Sequence, residues 1–114
     1  MNTLFDPITL AGVEFKNRVW VSPMCQYMAE DGVVGPWHSA HLGAFATGSP
    51  GLIMVEATGV VPDGRISIGC PSIEDDLHAN AFRPMIDFAH ANGVKIGIQL
   101  AHAGRKASTM RDWD

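Results

Sequence analysis

The sequence has few cysteines, no excess of basic residues and no long apolar run, and each absence excludes a class of protein. Its two cysteines, Cys25 and Cys70, are too few for a disulfide scaffold. They form no Cys-x-x-Cys pair, so the sequence lacks the usual signature of a zinc or iron–sulfur site. We therefore predict no metal site and two free thiols, as in a reducing cytoplasm.

Charge and hydropathy restrict the partners that the protein can bind. The formal net charge is −4, which leaves no basic face for nucleic acid or an anionic membrane. No apolar run approaches the roughly 20 residues of a membrane span. Asp6 interrupts the N-terminus before a signal-peptide core can form. Hydrophobic residues make up 46% of the 114 residues, which is enough for the core of one globular domain.

Apolar runs bounded by glycine and proline predict the strands. Two alternating runs around Ala11 and Gly12 predict a β-hairpin within residues 1–18. Short apolar runs that pass into polar or small residues are typical of buried parallel strands, which we place at residues 19–21, 52–55 and 94–100.

Two helices are predicted between these strands. The first covers residues 36–47, with Pro36 in its first turn and Trp37, His41 or Leu42, and Phe45 on one face. The second lies within residues 77–92, as a short helical turn followed by a main helix that starts near Pro84.

The order of the elements predicts an α/β fold. A hairpin is followed by β-α-β-α-β, and strands that alternate with helices form a parallel sheet with right-handed crossovers. Three such strands leave one sheet edge and one face uncovered. We therefore interpret residues 1–114 as the N-terminal portion of a TIM (β/α)₈ barrel, which typically needs about 250 residues, and expect Asp114 to lie within a loop.

Small and polar residues follow all three predicted strands. The carboxyl ends of parallel strands meet at one edge of a sheet, where ligands bind in open sheets and barrels alike. We expect one wall of a site for a flat cofactor there, formed by residues 22–27, 56–59 and 99–106.

These motifs resemble the Old Yellow Enzyme family of NADH:flavin oxidoreductases and NADPH dehydrogenases. The Cys25-x-Tyr27 pair is similar to the bacterial thermophilic-like branch, which includes the xenobiotic reductases. The resemblance covers nearly the whole chain, as the N-terminal part of a family member, and rests on residues 4–7, 16–18, 22–27, 51–57 and 99–106.

The resemblance implies an FMN-dependent enzyme. Members of the family are TIM barrels that bind FMN non-covalently, take hydride from NADPH or NADH, and pass it through flavin N5 to the β-carbon of an activated alkene. The implied partner is therefore a small-molecule substrate such as an α,β-unsaturated carbonyl compound. A cytoplasmic homo-oligomer is also implied, since proteins of this branch are often dimers or tetramers.

The family's flavin-contacting positions match residues of this sequence. The Gln99 amide would contact the pyrimidine edge of the flavin, since it can both donate and accept hydrogen bonds. Ala57 would lie near flavin O4 and N5, and Ser22, Pro23 and Met24 would form the first flavin-contacting turn. The plain alternatives are a backbone-capping amide at Gln99, close packing at Ala57 and a strand terminator at residues 22–24.

Two further residues match positions close to flavin and substrate. Cys25 would contact both the cofactor and the substrate, and we expect no nucleophilic role because no base is adjacent in sequence. Tyr27 would bind the activating group of the substrate. The alternatives are a plain buried thiol and a surface-loop tyrosine.

The histidines and Arg105 receive no catalytic role. His38 and His41 share a helix face without a third ligand, which indicates structural hydrogen bonding. The roles of His102 and Arg105 are left open by the sequence. We expect no catalytic residue in this chain, because the family's substrate-anchoring pair, proton donor and phosphate-binding loops follow later strands.

Two alternatives remain open. The chain alone would be a non-catalytic fragment if it lacks the downstream βα units. It could also be related to flavin barrels of the dienoyl-CoA reductase type, which carry an iron–sulfur cluster; Cys25 with Tyr27 argues against this relationship, and a downstream cysteine cluster would favour it.

Overall fold

The computed structural model describes residues 3–114 and has the predicted order of a hairpin followed by β-α-β-α-β. Two 3₁₀ turns, Pro62–Gly64 and Gly104–Lys106, lie in the connections after the last two strands. The main elements are β1 (Ile8–Leu10), β2 (Val13–Phe15), β3 (Trp20–Val21), α1 (Pro36–Thr47), β4 (Leu52–Gly59), α2 (Asp76–Ala81), α3 (Arg83–Ala91) and β5 (Lys95–Ala101).

The strands form two separate sheets. Strands β1 and β2 form the antiparallel hairpin, while β3, β4 and β5 form a parallel sheet in that order. Leu52 of β4 lies between Trp20 of β3 and Lys95 of β5. Crossovers through helices produce this parallel order, as the alternating pattern predicts.

The helical segments follow the sequence pattern except on one face of α1. The short turn and the main helix predicted within residues 77–92 are α2 and α3, which meet at Phe82, and Pro84 is the second residue of α3, where its missing N–H costs nothing. The predicted face of α1 is wrong at Trp37, which is exposed: the buried residues are His38, Leu42 and Ala46, and Phe45 is partly buried against the core. Within residues 3–114, no helix combines the length and apolar character of a membrane span.

The hydrophobic core lies between one face of the sheet and the helices. Ile53 and Val55 of β4 point into it, and their neighbours Leu52 and Met54 occupy the other face because side chains alternate along a strand. A Cβ at Gly97 would lie 2.7 Å from the Met54 sulfur, so glycine leaves room for methionine on that second face. The remaining buried members of the core are Val34, Leu42, Ala46, Phe82, Met85, Ala89 and Val94.

Strands β4 and β5 differ in their bounds from the prediction. Strand β4 was expected to end at Val55 but continues to Gly59, whose backbone also bonds to Pro71 and Ile73. Glu56 and Thr58 look like loop residues in the sequence, yet both are buried and hydrogen-bonded, which allows the strand to continue. Strand β5 lies one residue later than predicted.

Candidate functional site

A β-bulge lies at the carboxyl end of the parallel sheet. Val55 pairs with Ile98, whereas the next pair joins Thr58 to Leu100, so two residues of β4 face one residue of β5. The two residues of β4 are Glu56 and Ala57, and the single residue of β5 opposite them is Gln99. A bulge changes the direction of the side chains that follow it and is common beside active sites. Here it lets consecutive residues, Val55 and Glu56, both point toward the helices.

Gln99 presents a free amide at this edge. It shares the face of Gly97 and Met54, opposite the helical layer, because residues two apart on a strand lie on one face. The side chain is exposed and makes no hydrogen bond to residues 3–114. An unpartnered amide offers both donors and an acceptor, which fits the pyrimidine edge of a flavin. The residue present is thus chemically suited to FMN.

Cys25, Tyr27 and Ala57 lie together beside the bulge. Burial raises the pKa of the Cys25 thiol, and the nearby thiol of Cys70 raises it further, while hydrogen bonds from the Ala57 backbone N–H and the Tyr27 side chain oppose the shift. The adjacent Cys25 also raises the pKa of the Tyr27 hydroxyl. Both groups are therefore held in their neutral, proton-carrying forms, in which the phenol can donate a hydrogen bond to a ligand.

The segment after β3 leads from the sheet into this cluster. Ser22 and Met24 are exposed and Pro23 is half-buried, so the turn is accessible at the sheet edge. Tyr27 has a backbone φ of +57°, and its ring meets the Trp113 ring edge-on with the centroids 6.2 Å apart.

Glu56 and His38 form a buried pair under the same segment. The His38 Nε2 donates to Glu56 Oε1 at 2.8 Å, and the backbone N–H of Gln26 donates to Glu56 Oε2 at 2.7 Å. The sequence predicts only structural hydrogen bonding for His38 and indicates no role for Glu56. The one sequence signal was a carboxyl group directly after the apolar run of β4.

Comparison with known proteins identifies the family. The family model for NADH:flavin oxidoreductase / NADH oxidase matches residues 3–113. The chain belongs to this family. It is 50% identical over 110 residues to an NADPH dehydrogenase of Geobacillus thermodenitrificans, covering 94% of this chain and 32% of that protein. An NADH:flavin oxidoreductase of Gibberella zeae is 46% identical over 110 residues, covering 96% of this chain and 27% of that protein.

Similarity to a solved structure supports the same family membership. The Old Yellow Enzyme homologue from Zymomonas mobilis superposes with a TM-score of 0.84 at 32% identity, covering 93% of this chain and 30% of that protein. The resemblance and the α/β fold class are confirmed: the chain has the fold of the N-terminal portion of an Old Yellow Enzyme TIM barrel. It spans about 30% of the length of these relatives.

The other histidines and Arg105 lie outside the cluster at Cys25. The His41 ring is half-buried, which lowers its pKa, and packs edge-on against Phe45. His102 is exposed, and its Nδ1 accepts a hydrogen bond from the Gly104 backbone at 3.1 Å. Arg105 is exposed and makes no hydrogen bond to residues 3–114. Because it accepts the Gly104 N–H, the His102 ring stabilises the turn after β5.

Glu74, Asp75 and His78 form an acidic cluster at the start of α2. Their ligand atoms lie within 4.8 Å of one another. Both ring nitrogens of His78 already have partners, since Nδ1 lies 2.6 Å from Asp75 Oδ1 and Nε2 lies 3.1 Å from the Asp31 carbonyl oxygen. The geometry is that of a helix cap, in which Asp75 also accepts the His78 backbone N–H.

Proposed function

We propose that the protein is an FMN-dependent NAD(P)H oxidoreductase that reduces the activated C=C bond of α,β-unsaturated carbonyl compounds. In this proposal residues 1–114 supply one wall of the flavin site and part of the substrate pocket. Membership of the NADH:flavin oxidoreductase family and the similarity to NADPH dehydrogenases support it.

One observation carries the proposal. At the bulge, Ala57 of β4 lies across from Gln99 of β5 at the carboxyl end of the sheet, and the Ala57 backbone lies beside the thiol of Cys25. A small residue permits close approach of a flat ring, and the adjacent amide provides hydrogen bonds to the edge of that ring. This combination fits an isoalloxazine better than it fits a phosphate or a metal.

Some of the proposed site residues would contact the cofactor and others the substrate. Cys25 would contact both, and Tyr27 would donate a hydrogen bond to the carbonyl oxygen of the substrate. The residues proposed to hold FMN are Ser22, Pro23, Met24, Cys25, Ala57 and Gln99.

FMN, when bound, would accept hydride from NADPH or NADH and deliver it to the alkene. The protein's contribution within residues 1–114 is to bind and orient the ring and to polarise the substrate. We assign no catalytic residue to this stretch. A cytoplasmic homo-oligomer, binding small molecules without nucleic acid or membrane, is part of the same proposal.

The test is anaerobic reduction and reoxidation of the purified protein loaded with FMN. We expect NADPH or NADH to bleach the flavin absorbance, and cyclohexenone to restore it while the saturated ketone forms. A Tyr27→Phe variant should retain bleaching and lose most of the reoxidation rate. The ene-reductase proposal is wrong if oxygen restores the absorbance but the enone does not.

A further inference from the structure

We infer that Glu56 and His38 are positioning residues, which hold the segment bearing Cys25 and Tyr27 against the end of β4. The inference rests on the proposed function, because that segment forms part of the proposed flavin and substrate site. It adds a role for two residues that touch neither ligand themselves.

The Glu56 carboxyl group joins three parts of the fold. It belongs to β4, its Oε1 lies 2.8 Å from the His38 imidazole of α1, and its Oε2 accepts the backbone N–H of Gln26 at 2.7 Å. Glu56 and His38 are only 4% and 1% exposed. Gln26 is the residue between Cys25 and Tyr27, so the anchored amide lies at the centre of the proposed pocket segment.

The Glu56 carboxyl group is the hydrogen-bond partner of the His38 ring. Its Nδ1 is buried without a hydrogen-bond partner among residues 3–114, so Glu56 is the one polar contact of the ring there. A buried polar group that loses its hydrogen-bond partner destabilises the fold by its full desolvation free energy. Loss of the Glu56 side chain would therefore release both the Gln26 amide and the imidazole.

The anchored segment needs external support. Tyr27 has φ +57°, a conformation that a non-glycine residue keeps only when its surroundings enforce it. Trp37 Nε1 donates to Gln26 Oε1 at 3.0 Å, and Gln26 Nε2 donates to the Met24 carbonyl oxygen at 3.1 Å. These bonds hold the Gln26 side chain, whereas Glu56 holds its backbone.

The pair acts on the pocket more than on the core. Glu56 and His38 join β4 to α1 on the helical side of the sheet, and Glu56 Oε2 extends this link to the Gln26 backbone. Removing the carboxyl group should thus free the Cys25–Tyr27 segment while the packed core remains. This local effect separates positioning from a general contribution to stability.

The experiment measures how fast a thiol reagent, DTNB, labels Cys25 in a Cys70→Ala background. Glu56→Ala should label roughly tenfold faster than the parent, the factor that about 1.4 kcal/mol of lost local stability produces. Glu56→Gln keeps one oxygen that can accept the Gln26 backbone N–H, and its NH₂ group can donate to His38 Nε2 when the imidazole takes its other neutral tautomer. Its labelling should therefore stay near the parent rate. Both substitutions remove the carboxyl charge that acts on the Cys25 thiol. A difference between their labelling rates therefore reports a change in the position of the Cys25 segment and not a change in charge.

Thr58→Ala is the matched control. Thr58 is fully buried on the same strand, and its hydroxyl bonds to the Glu56 carbonyl oxygen at 2.8 Å and not to the Gln26 segment. It should lower the urea midpoint without accelerating the labelling. FMN affinity, followed by flavin fluorescence, should fall about tenfold in Glu56→Ala and recover in Glu56→Gln.

The outcomes distinguish the two proposals. Equal labelling of Glu56→Ala and the parent, or equal acceleration in Thr58→Ala, would show that the pair contributes only to general stability. Equal acceleration in Glu56→Ala and Glu56→Gln would assign the effect to charge, which also overturns the inference. Failure of the parent protein to bind FMN would contradict the proposed function. The DTNB labelling rates would still decide whether Glu56 positions Cys25.

Discussion

The Gly69 backbone packs directly against the carbonyl group of Tyr27. A Cβ atom built on Gly69 would overlap the Tyr27 carbonyl oxygen and carbon. The neighbouring Ala29 N–H donates to the Gly69 carbonyl oxygen at 2.9 Å. The loops after β3 and β4 therefore meet backbone to backbone, and the second loop holds the segment that carries the proposed substrate-binding residues.

Gly69→Ala should destabilise the protein by about 1–3 kcal/mol, because the added methyl group forces one backbone away from the other. The matched change, Gly43→Ala, lies inside α1, where the new Cβ would be 3.6 Å from the Phe88 ring. Replacing a mid-helix glycine should stabilise by roughly 0.5–1 kcal/mol. Urea unfolding followed by circular dichroism measures both, and equal effects of the two substitutions would contradict the packing described here.

Leu42→Ala tests the core between α1 and the sheet. Leu42 is 5% exposed and belongs to the buried cluster, so its truncation should cost about 2–5 kcal/mol. Leu77→Ala removes the same atoms from a side chain that is 62% exposed and should change stability by less than about 0.5 kcal/mol. A small cost at Leu42 would mean that α1 does not pack on the sheet as described.

The His78 cap predicts a pH dependence of stability. The hydrogen bond to Asp75 raises the pKa of His78 above its usual 6.5, with the Asp31 carbonyl and Glu74 acting in the same direction. A group whose pKa is raised by folding stabilises the protein fully below its unfolded pKa and loses that contribution as pH rises through the folded value. The urea midpoint should therefore fall as pH is raised from 6.5 to above the raised pKa of His78.

His78→Gln should remove that part of the pH dependence. Asp75 has a lowered pKa because the backbone and ring of His78 donate to it, so its own contribution is lost only as pH falls through acid values. The two effects occupy separate pH ranges. If wild type and His78→Gln show the same slope above pH 6.5, the His78 contact with Asp75 does not contribute to stability.

Tyr27→Phe tests the contact between the phenol and the Cys25 thiol. The Tyr27 side chain donates a hydrogen bond that lowers the pKa of Cys25, in opposition to the larger effect of burial. Removing the hydroxyl should raise the pKa of the thiol further, while the phenylalanine ring still meets Trp113. The pH profile of iodoacetamide alkylation in a Cys70→Ala background measures this shift, and a midpoint that stays or falls would argue against the contact.

Local signals in the sequence sufficed for the order of the elements. Apolar runs located the three strands of the parallel sheet, and Pro36 and Pro84 marked the first turns of α1 and α3. These signals are local because proline restricts its own backbone and apolar periodicity repeats over a few residues.

The bulge and the Glu56–His38 pair could not be predicted in the same way. Glu56 reads as a residue that ends a strand, because burial of a carboxyl group depends on partners distant in sequence. His38 is 18 residues away and Gln26 is 30 away, and only the folded chain brings them together.

The central claim is that Gln99 and its neighbours form one wall of an FMN site. The most direct measurement is gel filtration of the purified protein with added FMN, recorded at visible wavelengths, for wild type, Gln99→Leu and the exposed-strand control Lys95→Gln. We predict that flavin absorbance elutes with wild type and Lys95→Gln and is strongly reduced in Gln99→Leu. Flavin that elutes only as the free small molecule, or that accompanies all three proteins equally, would contradict the claim.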